Sequence, residues 1–415
     1  MGGTLNSREL LVRLLLADEV QARFSCLEFS RLDRWPEAVC LASLWNVVPT
    51  LNRRVAAFGV DVGDSARSTL HRTTAARFVR SAWVARKGVK ALVELRQKGI
   101  PVAAFKGLAA IAGLYCTPRD RFIRDVDVLI REEDLNATLV CLRALGFQPD
   151  LPGEFPDYVS FMRHSPAFAG NFSVALRDAD GCEIDVHWRL GISGQAMGTG
   201  QFIQRTGEAE LFGTAIPIVA VPDSLILTSH HAFRENLAPD FALRDVLDIE
   251  AWCLKLAACG ELHSGLGYVV SLGLASPLLA NLSIPLEFNS ESAIKPAVEF
   301  LRGLVRKNEI RTAKELTDLF VLQVRQGPLN RDLTYLFHPG SVRQIAAGFL
   351  NGWSGHRSFM QDMEIKNWGG ALPISRRMRL FFRALAGITP AQLRMILALA
   401  KVRGAYQRFE PQPDD

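Results

Sequence analysis

The sequence predicts an α+β protein: a small mixed-sheet core flanked by N-terminal and C-terminal helical regions. Three observations carry this expectation. Apolar residues recur every three to four positions in residues 10–16, 38–48 and 78–95, which is the period of a helix. The pattern stops at Gly99-Ile100-Pro101, and short strand-like runs follow to about residue 222. From Pro222 the helical period returns and holds to about residue 350. The chain then divides into an N-terminal helical region at 1–98, the α+β core at 99–222, a helical domain at 223–360 and a basic amphipathic tail at 361–415.

Within the core, Val102-Ala103-Ala104-Phe105 reads as a short buried strand, and Lys106-Gly107 leads into an apolar helical run at 108–115. Thr117-Pro118-Arg119-Asp120 is a polar loop, residues 122–130 form a second strand, and residues 135–145 form a helix with Gly146 after its end. The Pro-rich stretch 147–170 fits neither pattern. Residues 171–177 and 182–188 read as a hairpin around the four-residue loop Asp178-Ala179-Asp180-Gly181, and residues 216–221 as a further strand. The uncharged stretch 264–286 holds three glycines, four serines, an asparagine and two prolines. That is too polar for a membrane span, so we read buried helices broken at Ser276-Pro277 and ended by Pro285.

Composition narrows the function classes. Of 415 residues, 48% are apolar and 22% charged, which supports large cores and excludes disorder. Lys+Arg 48 against Asp+Glu 43 leaves a net charge of only +5, which argues against a nucleic-acid partner. No two of the seven cysteines are spaced as Cys-x-x-Cys, which excludes a zinc ribbon or a thioredoxin site. Arg13 interrupts the apolar patch at 10–16, and Asp18 and Glu19 follow it, so no signal peptide is read there. Reduced thiols and no transmembrane segment point to the cytoplasm.

The chemistry is expected from two strands. In Arg124-Asp125-Val126-Asp127-Val128 the period of two puts Asp125 and Asp127 on one face and the valines on the other. Two carboxylates side by side repel each other unless a cation sits between them. Mg²⁺ (or Mn²⁺) suits such oxygen donors. In Glu183-Ile184-Asp185-Val186-His187-Trp188, Glu183, Asp185 and His187 share a face. Asp185 from a neighbouring strand would complete a two-metal site for in-line displacement at phosphorus. His187 reads either as a second-shell hydrogen-bond partner of Asp185 or as a satisfied half-buried histidine. Lys106 and Gly107, between a strand and a helix, are placed to meet phosphates.

These residues resemble a known family. Lys106-Gly107 after a strand, Tyr115 one helix later, Arg121-x-x-x-Asp125-Val126-Asp127, and Ile184-Asp185-Val186-His187-Trp188 are similar to the uncharacterised bacterial nucleotidyltransferases of the DNA polymerase beta-like superfamily. His230-His231, and a helix carrying Arg244, Asp245, Asp248 and Trp252, match the later part of that pattern. The resemblance covers roughly residues 30–350. It implies that the core is a nucleotidyltransferase core, that Asp125, Asp127 and Asp185 bind metal and act in catalysis, and that Lys106, Gly107 and Arg121 bind the nucleotide. The wider superfamily has Gly-Ser or Gly-Gly where this chain has Gly107-Leu108, so the serine hydroxyl is missing from the turn.

The expected function is Mg²⁺-dependent transfer of an NMP group from an NTP to a hydroxyl-type acceptor (a metabolite, sugar, peptide or protein), with release of pyrophosphate. The alternative is an inactive nucleotide- or protein-binding module on the same fold. The tail carries Arg376, Arg377, Arg379, Arg383, Arg394, Lys401, Arg403 and Arg408 with no acid between them. It reads as a packed helix with a solvated basic face, or as a surface for peripheral contact with an anionic membrane or an acidic acceptor.

Overall fold

The computed structural model describes residues 6–17, 19–31, 33–149, 173–192, 195–234 and 239–326. These fall within one compact unit. The basic tail and the 150–172 segment lie outside the described residues.

Five helices open the chain: α1 (Ser7–Leu16), α2 (Glu19–Arg31), α3 (Trp35–Leu44), α4 (Val48–Phe58) and the long α5 (Asp64–Gln97). Asn6 caps α1 by accepting from the Glu9 N–H at 2.9 Å. Gly59, at φ +60°, ends α4 in the left-handed conformation.

The core begins with β1 (Val102–Phe105), then α6 (Lys106–Ala110), which continues as one π-helical turn at Ile111–Tyr115. β2 (Asp125–Ile130), α7 (Leu135–Ala144), the two-residue β3 (Gln148–Pro149), β4 (Ser173–Arg177) and β5 (Glu183–His187) follow. The short pair β6 (Arg189–Ile192) and β7 (Gln195–Gly198) forms a separate two-stranded sheet, and α8 (Gly200–Ile203) leads to the hairpin β8 (Gly207–Leu211) and β9 (Thr214–Ile218). The main sheet has seven strands in the order β3-β4-β5-β2-β1-β9-β8. β2 is central: it pairs antiparallel with β1 and parallel with β5. The expected α+β class with a small mixed sheet is the architecture found.

The sheet keeps its two faces distinct. Val126, Val128, Ile130, Ile184 and Val186 are wholly buried on one face. There α5 crosses so closely that a Cβ on Gly88 would come within 2.8 Å of Val126. Burying one such side chain fully is worth about 1.5–3 kcal/mol. α5 is therefore part of the sheet's core although it precedes the change of pattern at residue 99.

The remaining helices are α9 (Val221–Arg234), α10 (Pro239–Ala258), α11 (Leu262–Ser271), α12 (Ala275–Phe288), α13 (Lys295–Leu304) and α14 (Lys307–Gln326). The uncharged stretch is helical, as expected, but it is buried throughout only from Leu274 to Pro285, and its break lies earlier than Ser276-Pro277. Gly273, at φ +69°, separates α11 from α12, and Pro277 sits in the first turn of α12, where no N–H is needed. Nor does Pro285 end α12, which runs on to Phe288. Among the described residues no helix is long and apolar enough to cross a membrane.

Candidate active site

Two strands and one turn build the site. In the parallel register of β2 and β5, Asp125 lies opposite Glu183 and Asp127 opposite Asp185. Period-two alternation then puts all four carboxylates and His187 on one face. The side-chain donors of Asp127, Asp185 and His187 converge, all lying within 4.8 Å of one another. Asp125 lies one step along the same face but outside that group of three. The third converging donor is thus the imidazole of His187. It points into the site rather than standing behind it.

The third contributor comes from β1. Phe105 pairs with Asp127, and its ring meets His187 edge-on at 4.9 Å. Continued alternation would turn Lys106 to the far face. Instead Lys106 adopts φ +51°, a left-handed backbone that non-glycine residues rarely hold. This aims its side chain back, and Nζ donates to Asp127 Oδ1 at 2.7 Å. Strain of this kind persists where the surroundings impose it, and such sites are often functional.

The charges are unevenly satisfied. Burial would raise the Asp127 carboxyl, but Lys106 and His187 beside it hold it well below the usual carboxylate range. Burial also opposes ionisation of Asp185, and His187 again wins and lowers it. Burial disfavours the imidazolium of His187, yet Asp185 and Asp127 raise its pKa above the ordinary histidine value. Asp125 shifts the other way: burial, and then the charge of Asp127, raise its carboxyl. His187 Nε2 lies 2.9 Å from Asp185 Oδ2 and 3.3 Å from Asp127 Oδ1. It is nevertheless a buried nitrogen with no well-directed hydrogen bond. The distances establish that the atoms converge, and the poor angles show that their lone pairs are not aimed at one another. Donors that crowd around a common point in this way suit a shared cation better than a hydrogen-bonded pair.

Gly107 and Arg121 are placed differently from the sequence expectation. A Cβ on Gly107 would fall 2.7 Å from Ile123 Cγ2 and 3.2 Å from Arg121 Nη1, so glycine is required there by protein packing. Arg121 is 5% exposed, and Asp248 of α10 takes its guanidinium through Nε at 3.1 Å and Nη2 at 2.6 Å. Its Nη1 donates to the Phe122 carbonyl at 2.7 Å. Those bonds use three of its five N–H donors and tie the 121–124 loop to α10. The same loop is held from α5 by Ser81 Oγ, which accepts from the Ile123 N–H at 3.1 Å.

α10 supplies what single-strand reading missed. Asp248 also accepts from the Tyr115 hydroxyl at 2.8 Å. His231 Nδ1 lies 2.6 Å from Asp245 Oδ2. Gly113 admits the Trp252 ring, which a Cβ would meet at 2.5 Å, and Lys255 Nζ donates to the Gly113 carbonyl at 2.7 Å. Asp248, Trp252 and Lys255 therefore form one helix face seated on the π-helical turn that carries Gly113 and Tyr115. Its signal was in the sequence, in the helix carrying Arg244, Asp245, Asp248 and Trp252, where the two acids stand three residues apart on one side.

The sheet is mixed, and its central strand brings carboxylates against those of a parallel neighbour. Residues 32–284 match the family described as an uncharacterised nucleotidyltransferase, and the chain belongs to that family. It is a nucleotidyltransferase, an enzyme of the transferase class. No curated protein matches the chain. Among solved structures, it is similar to the solution structure of the antibiotic-resistance factor ANT(2'')-Ia, described as revealing substrate-regulated conformation dynamics. The identity is 13%, over 48% of this chain and 95% of that one, with a TM-score of 0.33.

Proposed function

We propose that the protein transfers an NMP group from an NTP to a hydroxyl-bearing acceptor, in a reaction that depends on a divalent cation. The observation that carries this is the convergence of Asp127, Asp185 and His187 beside Asp125, in a chain of this family. The donor set fits a divalent ion: two carboxylates suit Mg²⁺ or Mn²⁺, and the imidazole shifts the balance toward Mn²⁺. Asp127, Asp185 and His187 would hold the ion, and when bound it supplies charge neutralisation at the phosphates and lowers the pKa of an oxygen bound to it.

The chain's own residues do the rest. Lys106 is placed to exchange part of its bond with Asp127 for a phosphate oxygen, next to the Gly107 turn. The acceptor oxygen bonds to the α-phosphorus while the bond from that phosphorus to the bridging oxygen breaks, and pyrophosphate leaves. With Asp127 and Asp185 engaged by cations and Glu183 paired with Arg177, Asp125 is the carboxylate left to take the acceptor's proton. A cytoplasmic setting, where NTPs are supplied and the seven free cysteines stay reduced, fits this reading.

One observation favours a second reading, an inactive binding module. Lys106 and His187 already offset the charge of Asp127, so the site folds without a metal. Thermal melts with Mg²⁺ or Mn²⁺ and each NTP, paired with pyrophosphate release, separate the two. An active site is stabilised by about 2.7 kcal/mol when nucleotide is present at a hundred times its Kd. Asp127→Asn should lose that rise and all turnover. A rise without pyrophosphate, for every acceptor class tried, would favour the module. No rise with any NTP would overturn nucleotide binding here.

A further inference from the structure

We infer that Arg244 is a triphosphate ligand of this site, presented by the buried ion cluster of α10. This deepens the nucleotidyltransferase reading and rests on it.

The charged and bulky groups that α10 turns toward the core are nearly all engaged. Asp248 holds Arg121 and Tyr115, Asp245 holds His231, and Lys255 and Trp252 hold Gly113. Arg244 is different. Its contact among the described residues is with its own neighbour Asp245, where Nε and Nη2 both lie 3.3 Å from the single oxygen Oδ1. The side chain is 22% exposed. A guanidinium carries five N–H donors in a rigid fork and binds most strongly when two of them meet two oxygens. One oxygen at 3.3 Å orients that fork and leaves most of it available.

The cluster also fixes where the fork is. Arg121 Nη1 packs on Gly107, 3.2 Å from where a Cβ would stand, and Arg121 Nη2 lies 4.0 Å from Asp245 Oδ1. Arg244 is thus separated from the Lys106-Gly107 turn by one guanidinium and one carboxylate. Its field reaches Asp125, as does that of the exposed Arg124. Arg121 is held by Asp248 at short distances, whereas Arg244 is held only loosely by Asp245, so an arriving triphosphate meets, besides Lys106, an oriented arginine with free donors in Arg244. Asp245, pinned by His231, is then a positioning residue for it.

The test is a set of calorimetric titrations of the full chain with a non-hydrolysable NTP analogue and Mn²⁺, and with the matching NMP. Mn²⁺ alone is followed by electron paramagnetic resonance. Arg244→Ala should weaken the NTP analogue about ten- to a hundredfold, the worth of a lost charge-assisted pair. Mn²⁺ alone and NMP should bind as in wild type. Arg244→Lys should recover part of the loss, since it keeps the charge but not the fork, and it carries the test if the alanine variant does not fold. The inference is overturned if Arg244→Ala binds the analogue as wild type does, if NMP is weakened equally, or if the loss falls on Arg124→Ala instead. Wild type binding no NTP analogue would overturn the parent reading, and this one with it.

Discussion

Buried aspartates meet a cationic side chain and a histidine in two places in this chain. On α10, Asp248 takes Arg121 through two nitrogens and the Tyr115 hydroxyl as well, while Asp245 takes His231 at 2.6 Å. On the sheet, Lys106 and His187 crowd one oxygen of Asp127 at 2.7 and 3.3 Å, and Asp125 has no cation in contact. A buried ion pair repays its desolvation only when geometry is good and the remaining lone pairs are satisfied. The α10 cluster meets that condition and works as a structural clamp. The sheet cluster does not, and the proposed cation site draws on that shortfall.

The largest effect should come from unpairing the clamp. Asp248→Ala leaves Arg121 buried without its partner, and we expect a loss of about 3–5 kcal/mol in urea unfolding. Asp127→Asn also takes a carboxylate away from buried Lys106 and His187 and should cost stability, but less than Asp248→Ala, because Asp185 still lies against His187 and Asp125 and Asp185 stay near Lys106. Equal losses at the two sites would erase the distinction.

A pH effect sharpens the comparison. The pKa of His187 is raised, under the carboxylates of Asp127 and Asp185 and with Lys106 and the Phe105 edge also facing it. A raised folded-state pKa contributes stability that is fully present below the unfolded value of about 6.5 and is lost as pH rises through the folded pKa. Stability should therefore fall as pH rises above neutrality, and His187→Gln should remove that slope. Mn²⁺ competes with the proton for Nε2, so its affinity should climb over the same window. A slope unchanged in His187→Gln would place its origin elsewhere.

The smallest effect is expected at Tyr115→Phe. It removes one of the donors to Asp248 and leaves both bonds from Arg121, so the cost should be about 1 kcal/mol or less by thermal melt. A larger loss would mean that the clamp is more finely balanced than its distances indicate.

Much of the carboxylate face was legible before any tertiary structure. The side-chain period of a strand is local, so Asp125 and Asp127, and Glu183, Asp185 and His187, sort to their faces from the sequence alone. The hairpin around Asp178–Gly181 was legible for a similar reason. Asp178 Oδ1 accepts from the N–H groups of Asp180 at 3.1 Å and Cys182 at 2.8 Å, a turn formed by near neighbours. β8 was missed because Gly207–Leu211 is mostly exposed, and its apolar positions, Ala209 and Leu211, are neither β-branched nor aromatic. β9 lies at Thr214–Ile218, earlier than the expected 216–221, because Val219 closes the strand and Val221 already opens α9.

The sequence by itself determined which residues share a face, because that follows from backbone geometry within a few residues. Tertiary structure alone decided the partners. The parallel pairing of β2 with β5 brought Asp185 and His187 beside Asp127, across a connection of more than fifty residues that no local rule governs. The family resemblance makes Arg121 a nucleotide ligand, and only the fold brings Asp248, 127 residues away, against its guanidinium. Electrostatic partners are chosen by distance in space and by shared exclusion from water, and neither is set until the chain has folded.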